Sequence, residues 1–138
     1  MAKKSKIAKT KRCEELIVKY ADKFYRSAHK LSDLNRLEEA IEKYTLAIEL
    51  MPNFFEAIDN KAFCYMDLGR WHEAIEMFHQ SLKVQPKSLL ATFSIGECYF
   101  RLREYAKAKT YFEQAIEIDP AQQEPKNFLA ETVRLMGQ

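Results

Sequence analysis

Glycine is scarce in this chain, with three among 138 residues, and proline hardly commoner, with four. So few backbone breakers leave little room for long irregular loops or a flexible linker between domains. The three cysteines, Cys13, Cys64 and Cys98, are odd in number and include no C-x-x-C pair, which excludes a disulfide framework and a thiol zinc site. His29, His72 and His79 do not cluster with them at metal-ligand spacing, so no metal site is expected. No apolar run approaches the ~18 residues of a membrane span, and no secretory core follows the basic start of the chain. The nucleotide-binding glycine motifs, the H-E-x-x-H zinc motif and the G-x-S-x-G nucleophile elbow are also missing. These absences predict a non-enzymatic protein without cofactor or small-molecule substrate. Reduced thiols point to a cytoplasmic setting, or a nuclear one in a eukaryote.

Acid is missing in one place only. Lys3, Lys4, Lys6, Lys9, Lys11 and Arg12 give six positive charges and no negative one in the first twelve residues, whereas the rest of the chain carries a net charge of −4. Residues 1–12 read as a basic arm, expected to be disordered or frayed, on a mildly acidic domain of residues 13–138.

What is present is periodic. Pro52, Pro86 and Pro120 stand 34 residues apart, each closing an amphipathic stretch. Ala40, Ala74 and Ala108 align at that period, as do Tyr44, Phe78 and Phe112, and Leu37, Trp71 and Tyr105. Within the second period Ile58, Ala62, Tyr65 and Leu68 recur at helical steps, Gly69 interrupts them, and Trp71, Ala74, Ile75, Phe78 and Leu82 resume before Pro86. That is helix, tight turn, helix. Gly69 suits a left-handed helix terminus, and Asn35 stands there one period earlier. Arg103, one period later, would pay about 1–2 kcal/mol in that conformation, so a differently shaped third turn is expected. Cys64 and Cys98 are also 34 apart and are read as small buried packing residues.

The small residues Ala28, Ala62 and Gly96 oppose the alanine column and let paired helices approach closely. With Phe24, Tyr44, Ala47 and Pro52 in the first period, Tyr65, Gly69, Phe78 and Pro86 in the second, and Ile95, Tyr99, Phe112, Ala115 and Pro120 in the third, the pattern resembles the tetratricopeptide repeat (TPR) family. Ser27 and Lys61 stand where that family has leucine, Leu31 where it has tyrosine, and Ser81 where it has alanine. The resemblance implies an all-α, right-handed α-solenoid of three helix-turn-helix repeats, at about residues 21–54, 55–88 and 89–122. A capping helix follows at about 123–136, with Pro125 in its first turn, and the first helix is expected to extend upstream of its repeat.

In such a stack the first helices of successive repeats line a concave groove. The resemblance therefore places Asp22, Tyr25 and His29 there, then Glu56, Asp59, Asn60, Phe63, Met66 and Asp67, then Leu90, Phe93, Glu97, Phe100 and Arg101, with Asn127 and Glu131 from the cap. Aromatic anchors between carboxylates suit a protein or peptide with apolar and basic side chains. For Phe63 and Phe100, packing between helices is the alternative role. Family members that hold the acidic tails of Hsp70 or Hsp90 use a carboxylate clamp of Lys, Asn, Asn, Lys and Arg. Tyr25, His29, Asn60, Leu90 and Ser94 occupy those positions here, and only Asn60 matches. An acidic tail is thus not the expected ligand.

The function read from the residues is an adaptor, scaffold or chaperone-like interaction module. A self-assembling homo-oligomer and a secretion or assembly chaperone remain as alternatives. The basic arm leaves three readings: a solvated tail, contact with nucleic acid, an anionic membrane or a nuclear import receptor, or a return of the arm onto its own acidic groove.

Overall fold

The computed structural model describes residues 2–138, and its regular secondary structure over them is all α-helix. Seven helices follow one another: α1 (Ala2–Asp33), α2 (Leu37–Leu50), α3 (Phe55–Asp67), α4 (Trp71–Val84), α5 (Leu89–Arg101), α6 (Tyr105–Ile118) and α7 (Gln123–Met136). Helices α3, α5 and α7 begin 34 residues apart, as do α2, α4 and α6. Each helix packs mainly on its neighbours in sequence, which is the one-dimensional construction of a solenoid.

Each repeated proline acts just past a helix. Met51, Gln85 and Asp119 cap α2, α4 and α6, and a proline follows each directly. Proline forces its predecessor out of helical geometry, and these three caps have ψ of 88°, 86° and 96°. Pro125 is tolerated inside α7 because it sits in the first turn, where its missing N–H has no intrahelical partner to lose.

The turns inside the three repeats are alike, contrary to the different third turn expected at Arg103. Asn35, Gly69 and Arg103 have φ of 59°, 72° and 60°. In each case that residue's N–H bonds the carbonyl three residues back, and the next residue's N–H bonds the carbonyl five residues back, as in Glu104 to Tyr99 at 2.9 Å. This paired closure satisfies carbonyls at the helix end. Arg103 takes the left-handed conformation because those bonds and the α5–α6 packing hold it there. Salt bridges recur after the turn: Arg36–Glu39, Arg70–Glu73 and, with the charges exchanged, Glu104–Lys107.

Alanines at 28, 40, 62, 74 and 108 are fully buried, and Tyr44, Phe78 and Phe112 fill the space beyond them. Cys64 and Cys98 are buried as expected, while Cys13 is exposed. Gly96 is required rather than merely permitted. A Cβ on it would stand 2.7 Å from the Phe112 ring, inside van der Waals contact.

The arm expected to be disordered or frayed over residues 1–12 is helix from Ala2, with Met1 outside the described residues. Ala and Lys favour helix, and neither Gly nor Pro interrupts the segment. Every residue from 2 to 20 is exposed, and the first buried position of α1 is Ala21. The extension projects about 28 Å beyond the stack at 1.5 Å per residue. One unbroken helix carries it away from the groove.

Candidate functional site: the inner helices

Helices α1, α3 and α5 carry the residues expected in the groove, and the register decides how deep each lies. Tyr25, Asp59 and Phe93 share one column, while Asn60, Ser94 and Phe128 share the next. Contacts run from the first column of one repeat to the second column of the following helix. Asn60 Nδ2 donates to the Tyr25 hydroxyl at 3.0 Å, and the Phe93 and Phe128 rings meet edge to face at 5.4 Å between centroids.

Tyr25 is half-buried and held on several sides. Its ring lies 4.9 Å from Phe54 and 5.9 Å from Tyr44, and His29 stacks on it at 6.3 Å. Phe93 packs on Phe112 at 5.6 Å as well as on Phe128, and Phe100 packs on Tyr105 and Phe128, both at 5.6 Å. Phe63 meets the Phe78 ring edge-on at 5.3 Å, and Met66 joins the core around Ile75 and Ile95. Packing between helices thus employs Phe63 and Phe100, the alternative their spacing left open, and largely employs Phe93 too. Of the apolar residues expected in the groove, only Leu90 remains broadly exposed, at 48%.

The polar residues divide more sharply. Glu56, His29, Asp67, Arg101 and Asn127 are exposed, whereas Asp22, Asn60, Glu97 and Glu131 are half-buried. Asp22 is paired with Arg26 at 2.9 Å and Glu131 with Arg134. Asp59, expected on the groove surface, is only 7% exposed. It is turned towards α4, where Ser81 replaces the alanine that repeats one and three place at 47 and 115. Asp59 Oδ1 and Ser81 Oγ are both buried, and neither has a well-formed hydrogen bond. Burial holds the Asp59 carboxyl above its ordinary range, the Ser81 hydroxyl draws it part of the way back, and Glu56 raises it again. Glu97 is raised too, first by burial and then by Glu124 of α7, with Arg101 opposing.

Glu124, Ser81 and Phe128 are the participants the sequence reading left out of the site. Phe128 stands 34 residues beyond Ser94 and 68 beyond Asn60, so extending the repeat register into the cap would have found it. Among the described residues no three His, Cys, Asp or Glu side chains come together as a metal site.

The inner surface is thus an acidic, partly desolvated strip over an aromatic floor. At the clamp positions Tyr25 is occupied by Asn60, Leu90 is exposed and apolar, and Ser94 is buried at 2% exposure. No cation stands at any of the three.

Comparison with known proteins agrees with this architecture. No curated protein sequence matches the chain. The first TPR domain of Spaghetti, bound to an HSP90 peptide SRMEEVD, superposes with a TM-score of 0.81 at 21% identity, covering 87% of this chain and 95% of that one. The Sgt2 TPR domain from Aspergillus fumigatus gives 0.76 at 25% identity, over 85% and 79% of the two chains. The first TPR domain of human RPAP3 gives 0.78 at 21% identity, over 86% and 93%. Residues 54–121 match the family model described as tetratricopeptide repeat. With the same helix-turn-helix unit repeated through α1 to α6 and the same fold in these neighbours, the chain is a tetratricopeptide repeat protein.

Proposed function

We propose that the inner face of α1, α3 and α5 holds a segment of another protein bearing basic and apolar side chains, and that the chain acts as an adaptor or chaperone-like module rather than an enzyme. One observation carries this reading. Glu97 is half-buried on α5 beside Glu124 of α7, with Glu56 exposed on α3, and no lysine or arginine forms a salt bridge with any of the three. A partly desolvated carboxylate without a partner raises the free energy of the empty groove and is relieved by an incoming cation.

The neighbouring Spaghetti domain was solved with an acidic peptide, so capture of a peptide is within the reach of this fold. For this chain an acidic tail is the less suitable ligand. Tyr25, Leu90 and Ser94 stand where a carboxylate clamp needs cations, and Glu56 and Glu97 would repel the tail. The experiment is a binding titration of the full chain with a basic, leucine-containing peptide. Saturable binding that weakens in Glu56→Lys/Glu124→Lys supports the reading, and equal binding by that variant contradicts it.

A further inference from the structure

The proposed ligand chemistry, basic with interspersed apolar groups, is also the chemistry of the chain's own first twenty residues. We propose that the projecting half of α1 in one molecule is a ligand for the concave face of a second copy, so that molecules associate head to tail. This rests on the acidic-groove reading above and adds the identity of one occupant.

Three observations support that occupant. First, charge is complementary. The extension carries Lys3, Lys4, Lys6, Lys9, Lys11 and Arg12 without an acid among them, distributed around the helix so that any face presents several. The groove presents Glu56, Glu97 and Glu124, and Glu97 and Glu124 stand close enough to raise one another's field. Its cations are Arg101 and His29, both exposed, while Arg26 and Arg134 are paired with Asp22 and Glu131. Second, the extension has apolar groups and nothing in its own molecule to bury them against: Ile7 is 65% exposed, Val18 54% and Tyr20 46%. Third, the continuous helix from Ala2 to Asp33 carries the extension away from its own groove. In this geometry the groove within its reach is that of another molecule.

Pairing of two extensions with each other is disfavoured, because each would set six positive charges against six. An arm-into-groove contact is heterologous. It leaves one free arm and one free groove at the ends of every assembly, and so does not stop at a dimer unless the rotation closes a ring.

The test is the weight-average mass of the full-length chain by sedimentation equilibrium across a concentration series at low salt. The mass should rise with concentration and fall back to the monomer in high salt. Two full-length charge-reversal variants, with folding checked by circular dichroism, locate the contact. Lys3→Glu/Lys6→Glu/Lys9→Glu alters the arm and Glu56→Lys/Glu124→Lys the groove, and each alone should be monomeric. Mixing them should restore association, since the acidic arm of one then meets the basic groove of the other. A wild type that stays monomeric at every concentration overturns the proposal. So does association that survives groove reversal or halts at a dimer dependent on the arm alone. If the wild type is monomeric yet still binds the basic leucine-containing peptide, this inference fails while the groove reading stands.

Discussion

The side-chain amide of Asn60 donates to the hydroxyl of Tyr25 across the α1–α3 junction at 3.0 Å. The one residue that matches an acidic-tail clamp is therefore already engaged, and its partner stands where the clamp has a lysine. The bond also ties the first repeat to the second. A double-mutant cycle of Tyr25→Phe and Asn60→Ala should return a coupling of about 1 kcal/mol in urea unfolding, the net worth of a partly buried hydrogen bond. Additive single effects would show that the two side chains do not stabilise one another.

Glycine and arginine at the turns and the helix pair test the backbone account. Gly69 has φ of +72° with open space around its absent Cβ, so Gly69→Ala should lose about 1 kcal/mol through conformation alone. Arg103 holds φ of 60° with a side chain, so Arg103→Gly should raise the unfolding free energy by about 1 kcal/mol. Gly96→Ala is different in kind, since its methyl group would overlap the buried Phe112 ring. It should cost about 1–3 kcal/mol, and Gly96→Ala/Phe112→Leu should recover part of the loss.

The repeat register was legible because it rests on residues with few substitutes: proline after a helix, alanine at a close crossing, an aromatic ring beyond it. Helix starts at 55, 89 and 123 follow directly from that spacing. Depth within the groove was less legible. Phe93 and Asp59 occupy one column, yet one packs under the cap helix and the other turns to Ser81, and only the neighbouring helices decide which. The third turn departs from local preference for a related reason. Local preference disfavours Arg103 in a left-handed conformation, and the helix pair overrides it.

Asp59 makes stability depend on pH in a definite direction. Its carboxyl is held above its ordinary value, so the neutral form suits the folded state. That contribution is complete below the ordinary aspartate value of about 4 and is lost as pH rises through the folded-state value. Asp59→Asn should accordingly gain stability relative to the wild type at pH 7.5 and gain less at pH 4.5, measured by urea unfolding at both. An equal difference at the two values would mean that the carboxylate is not strained by burial.

The thiols should react in two classes. Burial pushes the Cys98 thiol up to about 12 and raises that of Cys64, whereas Cys13 lies on the exposed extension. A thiol-exchange reagent at pH 8 should modify one group rapidly in the native protein and the other two only on unfolding. Cys13→Ser should abolish the rapid phase. Fast labelling of two or three thiols would contradict the burial of this column.

The proposed preference of the groove for positive charge is tested most directly by fluorescence anisotropy of two labelled peptides with the full-length chain at low salt. One is the acidic heptapeptide SRMEEVD, and the other a lysine- and leucine-containing peptide of equal length. The account predicts saturable binding of the basic peptide, weakened roughly tenfold by Glu56→Lys/Glu124→Lys, and no saturable binding of the acidic one. Tighter binding of SRMEEVD than of the basic peptide would contradict it.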